Sequence, residues 1–224
     1  MGRAGPDPGA DVVTLDAAWA ERWMRRSAAD MHAARDELTE LDRRIGDGDH
    51  GVNMDRGFAA VADRLDDDGV PPRETVAQVL RLVATTLMST VGGASGPLYG
   101  TAFLHAARVT NRPDLDGAGV VALVEAAAEG ITSRGRAAPG DKTMVDAWAP
   151  AVEAAEHAAD GGDAVEVLRA AAAAAADGAE ATVPMIATKG RASYLGPRSA
   201  GTEDPGARST AMLLAAAVAA AGAD

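Results

Sequence analysis

No stretch of this 224-residue chain sustains the period-two alternation of a half-buried strand, whereas apolar residues recur every three or four positions through most of its length. Alanine dominates those runs, most densely at Ala170–Ala176 and Ala211–Ala221. Alanine is the strongest helix former, and its small side chain lets helices approach closely. Aromatic residues make up only 3% of the chain, so a core must be assembled from Ala, Leu and Val. The fold class is therefore all-α.

In chain order, residues 1–12 hold glycine and proline among small residues and read as a flexible leader to a domain spanning 13–224. A first helix is expected from Thr14, as cap, to Arg35, and a second turn or helix over Glu37–Arg44. Further helices are expected near Asn53–Leu65, Glu74–Thr90, Leu98–Val109, Gly119–Ser133, Lys142–Ala159, Ala164–Thr182 and Ala207–Ala221. That reading amounts to about eight helices and no sheet. A long glycine-bearing loop, Thr188–Gly206, precedes the last helix.

The net charge of −12 opposes binding to nucleic acid, whose phosphates select basic faces. The absence of cysteine excludes disulfides, thiolate catalysis and zinc–thiolate sites. The apolar runs fall short of a membrane span, and no signal-peptide pattern opens the chain, so it reads as a cytoplasmic protein.

Chemistry concentrates in LDRRIGDGDHGVNMDRGF, residues 41–58. Asp42, Asp47 and Asp49 fall within eight residues, separated by Gly46 and Gly48. Carboxylates converging on a tight turn repel unless a cation sits among them, and a hard divalent ion with oxygen ligands is the usual answer. The same residues also suit an ordinary acidic turn. Taken alone they leave both readings open. A calcium loop is excluded, because the twelfth position counted from Asp47 is Phe58.

Four polar, glycine-rich loops lead into or out of helices: Ile45–Asn53, Gly92–Pro97, Arg134–Met144 and Lys189–Arg208. Free N–H groups at helix N-termini bind phosphate. Gly92–Pro97 fits such an anion site, or a tight corner between helices. No Walker loop or protein-kinase signature occurs, although Gly140-Asp141-Lys142-Thr143 superficially resembles a fragment of the former. Of the four histidines only His50 lies in a candidate site, while His32, His105 and His157 sit in helices.

The segments LDRRIGDGDHGVNMDRGF, VGGASGPLYGTAF, SRGRAAPGDKTMVDAW and KGRASYLGPRSAGTEDPGARST, in this order, resemble the nucleotide-binding L subunit (DhaL) of dihydroxyacetone kinase. The resemblance runs from about residue 15 to 220. It implies an antiparallel barrel of eight helices with the nucleotide held by the loops at one end. It implies two Mg²⁺ ions on Asp42, Asp47 and Asp49. Nucleotide contacts would fall on His50, Gly51, Val52, Asn53, Ala94, Ser95, Gly135, Met144, Arg191, Asp204, Pro205 and Gly206, with Arg191 also steadying phosphate charge in catalysis.

The implied activity is phosphoryl transfer from ADP/ATP-bound donor to dihydroxyacetone held on a separate K subunit. Resident ADP would be rephosphorylated by an M subunit of the sugar phosphotransferase system. Free ATP as donor, another small ketose or an acyl group as acceptor, and a nucleotide-binding regulatory module that contacts a transcription regulator are the alternatives.

Overall fold

The computed structural model describes residues 15–67, 69 and 71–222. The expected leader and the Thr14 cap lie outside them. The first helix, α1 (Ala17–Ala33), starts instead at Asp16, whose carboxylate accepts from Trp19 N at 2.8 Å. This satisfies an N–H that has no partner within the helix. Then follow α2 (Arg35–Ile45), α3 (His50–Leu65), α4 (Val76–Thr90), α5 (Ser95–Val109), α6 (Gly117–Gly135), α7 (Val145–Ala158), α8 (Ala164–Ala181) and α9 (Pro205–Ala221).

Caps fix several of these starts. Thr75 and Gln78 form a capping box on α4, and Asp163 and Glu166 form another on α8.

The expectation of eight helices and no sheet needs correction. Among the described residues there are nine α-helices, a 3₁₀ helix at Arg191–Ser199, and one antiparallel pair, β1 (Leu15–Asp16) with β2 (Asp114–Leu115). Strands of two residues are too short to leave an alternation signature. The 3₁₀ helix lies inside the expected loop Thr188–Gly206, kinked at Gly196.

Eight of the α-helices nevertheless close a ring. α1 packs on α3, α3 on α4, and so on through α9, which packs back on α1. Successive members run in opposite directions, joined by short connections except from α1 to α3, which passes through α2, and from α8 to α9, which holds the 3₁₀ helix. α2 stands outside the ring, against α3 and α9.

The interior is filled rather than hollow. Trp19 and Trp23 stack at 5.2 Å, and Phe103 meets Trp23 edge-on at 5.9 Å. Their indole N–H groups donate to Ala217 O and Leu213 O on α9, so these large side chains are buried without an orphaned donor. The alternation in direction brings the connections after α2, α4, α6 and α8 to one end of the ring. No helix among the described residues is long and apolar enough to cross a membrane.

Candidate functional site

At that end the four glycine-rich loops line a cavity of about 440 Å³. Its wall includes Asp42, Asp47, Asp49, His50, Ala94, Ser95, Met144, Arg191, Asp204, Pro205 and Gly206. An adjoining apolar cavity of about 450 Å³ is lined by Pro97, Leu98, Ile131, Gly135, Ala137 and Val145, and shares Ala94 and Met144 with the first.

The acidic turn owes its shape to local geometry. Asp42 lies on the last turn of α2, buried. Its Oδ2 accepts from Asp49 N at 2.8 Å and His50 N at 3.1 Å, which folds the turn back over the helix end. A Cβ at Gly46 would stand 2.0 Å from Asp42 Oδ1, and Gly48 has φ +75°, so glycine is required at both.

Oxygens of Asp42, Asp47 and Asp49 thereby lie within 4.8 Å of one another. Burial raises the Asp42 carboxyl above its ordinary range, the two N–H donors oppose this, and the neighbouring Asp47 and Asp49 charges reinforce it. Arg191 Nε stands 2.9 Å from Asp47 Oδ2 and is the one positive partner in an ion pair with the triad among the described residues.

Three hard oxygen donors this close suit Mg²⁺, whose ligands at about 2.0–2.1 Å stand roughly 3 to 4 Å apart around one octahedral ion. The residues present therefore fit the metal.

His50 is on the wall, but its ring is committed. Nδ1 lies 3.1 Å from Ser95 Oγ and Nε2 2.9 Å from Ser209 Oγ, and Ser209 Oγ is 2.7 Å from the Tyr99 hydroxyl. Burial holds its pKa down at about 4, so the imidazole is neutral. It pins the N-terminus of α3 to the starts of α5 and α9.

Gly51, Val52 and Asn53 do not line either cavity. Gly51 packs on Arg35 O and Thr39 of α2, Val52 faces solvent, and the Asn53 side chain accepts from Arg56. Asp204 caps α9 by accepting from Ala207 N at 2.8 Å. Burial pushes its carboxyl up to about 7, against the Ala207 N–H and the Lys142 charge.

Two lysines on the wall were not among the residues expected from sequence. Lys189 stands beside Arg191 on the rim. Lys142, at φ +60°, is 1% exposed, and its Nζ donates to Thr182 O at 2.7 Å and Thr202 O at 2.6 Å, with Val183 O at 3.4 Å. It laces the loop before α7 to the loop before α9. The fragment Gly140-Asp141-Lys142-Thr143 was the only sequence signal for it, and it pointed to phosphate rather than to carbonyls. Asp141 strengthens the lacing, because its carboxylate accepts from the Thr188 hydroxyl and its carbonyl from Thr188 N at 3.2 Å.

The DAK2 domain family model matches residues 44–219. The "PEP-dependent dihydroxyacetone kinase, ADP-binding subunit DhaL" of Escherichia coli K12 is 43% identical over 86% of this chain and 91% of its own length. The "PTS-dependent dihydroxyacetone kinase, ADP-binding subunit DhaL" of Lactococcus lactis is 40% identical over 85% of this chain and 91% of its own length. Among solved structures, the dihydroxyacetone kinase of C. freundii in complex with AMP-PNP and Mg²⁺ superposes with a TM-score of 0.67 at 25% identity, over 96% of this chain and 37% of that longer one. A family model that runs from the end of α2 through α9, and relatives of 40% identity or more matched over nearly their whole length, place this chain in the DAK2-domain family.

Proposed function

We propose that this chain is the ADP-binding subunit of a dihydroxyacetone kinase, holding the phosphoryl donor for an acceptor bound on a partner K subunit. The observation that carries the proposal is the placement of the Asp42, Asp47 and Asp49 oxygens, within 4.8 Å of one another, on the wall of a cavity that continues into an apolar one. A nucleotide has the same division: anionic phosphates at one end and a flat base at the other. When bound, two Mg²⁺ ions held by the three aspartates supply neutralisation of phosphate charge, which phosphoryl transfer requires beyond alignment.

The chain's own residues account for the rest. The N-terminus of α5, which has no side-chain cap, opens onto the cavity at Ala94 and Ser95 and presents its N–H groups to anionic oxygens. Lys189 and Arg191 add positive charge at the rim. Leu98, Ile131, Ala137 and Met144 offer an apolar slot for the base, closed at its edge by Gly135.

Acid–base chemistry on the acceptor is assigned to the partner. Asp42, Asp47 and Asp49 would hold the metal, Asp204 is committed to capping α9, His50 is neutral and held on both nitrogens, and Lys142 is held by carbonyls. The names of the relatives, with dependence on PEP or the PTS, favour resident ADP recharged by a phosphocarrier M subunit over free ATP.

The test is native mass spectrometry of the chain purified in Mg²⁺. Retained ADP is expected. A nucleotide-free chain that also fails to bind Mg-ADP in calorimetry rejects the proposal, whereas rapid exchange with free ATP turns it toward ATP as donor.

A further inference from the structure

The flank of the ring holds a groove of about 810 Å³ between α6 and α7, larger than either cavity at the nucleotide end. It shares no lining residue with the aspartate-bearing cavity and meets the apolar one only at Val145. Its floor is apolar, with Ala122 and Ala126 from α6 and Trp148, Ala149 and Val152 from α7. Its rims are acidic. Glu125 and Glu129 lie one turn apart on α6, Glu153 and Glu156 one turn apart on α7, and all four are exposed.

No lysine or arginine lines the groove. His105 Nδ1 stands 3.9 Å from Glu129, and the other three glutamates make no ion pair among the described residues. Glu125 and Glu156 approach closely enough to hydrogen-bond. Partial burial, then that hydrogen bond and the Glu156 charge, raise the Glu125 carboxyl above its ordinary range.

Acidic side chains along a helix ordinarily make a solvated face, and Trp148 sets this groove apart from one. The residue is 2% exposed, and its Nε1–H is the one buried side-chain polar atom without a hydrogen-bond partner among the described residues. Trp19 and Trp23, by contrast, both donate to carbonyls. A buried donor left unpaired is costly, so an occupant that brings an acceptor gains from it. Ammonium and guanidinium groups only donate, as the indole does. A carboxylate would be repelled by the four glutamates. A neutral carbonyl next to cationic side chains is what a basic peptide offers.

We propose that the α6–α7 groove binds an extended basic segment of a partner protein, with lysine or arginine stems on the apolar floor, their charged ends at the four glutamates, and a main-chain carbonyl at Trp148 Nε1. Long basic side chains cover apolar surface in this way while their charge stays at a polar rim. An extended backbone has carbonyls free to accept, whereas those inside a helix are already paired. The site does not depend on the kinase reading, because none of its residues holds metal or phosphate there.

The experiment titrates the intact ¹⁵N-labelled chain with a short synthetic peptide in which lysine alternates with threonine, read by fluorescence anisotropy and by the indole N–H resonances, with Trp148 assigned through Trp148→Phe. Binding is expected to weaken as salt rises. The Trp148 resonance is expected to move downfield while those of Trp19 and Trp23 stay in place. Glu153→Gln with Glu156→Gln removes two exposed ion pairs and is expected to weaken binding between about twofold and thirtyfold. Asp36→Asn with Asp63→Asn removes as much charge from α2 and α3 and is expected to leave binding near wild type. Spermine, which carries cations and no carbonyl, is expected to leave the Trp148 resonance in place. No binding at low salt, equal losses in the two double variants, or a Trp148 resonance unmoved at saturation overturns the site. Spermine that moves the resonance as the peptide does overturns the peptide as occupant.

Discussion

Replacing Lys142 by methionine keeps an unbranched stem of similar length and removes the ammonium. Two short bonds, to Thr182 O at 2.7 Å and Thr202 O at 2.6 Å, disappear, and both carbonyls lose a charged donor in a buried setting. Hydrogen bonds from charged groups contribute about 1.5–3 kcal/mol each. The pair therefore amounts to roughly 3–6 kcal/mol, from which the desolvation cost of the buried ammonium is returned. A net loss of about 2–4 kcal/mol is expected, in line with the loss of one partner from a buried polar network. For a chain of this size that lowers the melting temperature by about 5 to 15 °C.

The functional loss follows from the same geometry. Lys142 joins the loop that supplies Thr143 and Met144 to the loop that supplies Lys189 to Ala192 and Asp204 to Gly206, and all of these wall the cavity. Mg-ADP affinity should therefore fall together with stability. Scanning calorimetry of the ligand-free chain and titration with Mg-ADP give the two numbers. A variant that melts within about 1 °C of wild type and binds Mg-ADP equally well would refute the lacing role, since the bonds would then carry less than about 0.5 kcal/mol.

Asp49→Ala should abolish Mg²⁺-dependent binding of ADP while the ligand-free melt holds or rises, because one of three crowded like charges is gone. Asp42→Ala should also lower the ligand-free stability by about 1 kcal/mol or more, because Asp49 N and His50 N lose their acceptor. Equal melts for the two variants would contradict that distinction. Gly46→Ala puts a Cβ 2.0 Å from Asp42 Oδ1, so the carboxylate must turn away. Calorimetry should show Mg-ADP affinity reduced at least about tenfold, the equivalent of 1.4 kcal/mol, and an unchanged affinity would remove Asp42 from the ligand set.

Asp204 makes stability depend on pH. Its carboxyl, raised to about 7 in the fold, keeps its proton there while the unfolded chain has already lost it, so its contribution is full below about pH 4 and is lost as pH rises to about 7. Lys142 and Asp146 are the charges that face it. Asp204→Asn keeps a cap on α9 and removes that titration, while His50, held down at about 4, contributes in the opposite sense in both chains, so the ligand-free melting temperature of wild type should lose ground to that of the variant as pH rises from 5 to 7; a constant difference between the two would contradict this.

The helices were legible because alanine-rich runs with period 3.6 have one stable outcome, and because a capping residue such as Asp163 marks a start in the sequence. Boundaries failed where the signal lay in tertiary contacts. α3 begins at His50 rather than near Asn53, because the Asp42 carboxylate from the preceding helix takes the N–H groups of Asp49 and His50. The first helix is capped by Asp16 rather than Thr14.

The 3₁₀ helix had no pattern to announce it. It is held by the small cluster around Ile45, whose members are far apart in sequence. In the site, the aspartates could be read from residue type and glycine spacing alone. The role of Lys142 could not be read, because its partners are main-chain carbonyls forty or more residues away, which leave no trace in side-chain identity.

The most direct test of the split kinase is reconstitution, with dihydroxyacetone phosphate measured over time. The chain with Mg-ATP and dihydroxyacetone but no partner should bind nucleotide and form no product. Adding a K subunit with a phosphorylated M subunit should give sustained turnover, because the acceptor is then aligned with the donor, and alignment supplies much of the rate. Sustained turnover by the chain alone, or none with both partners present and Mg-ADP bound, would contradict the account.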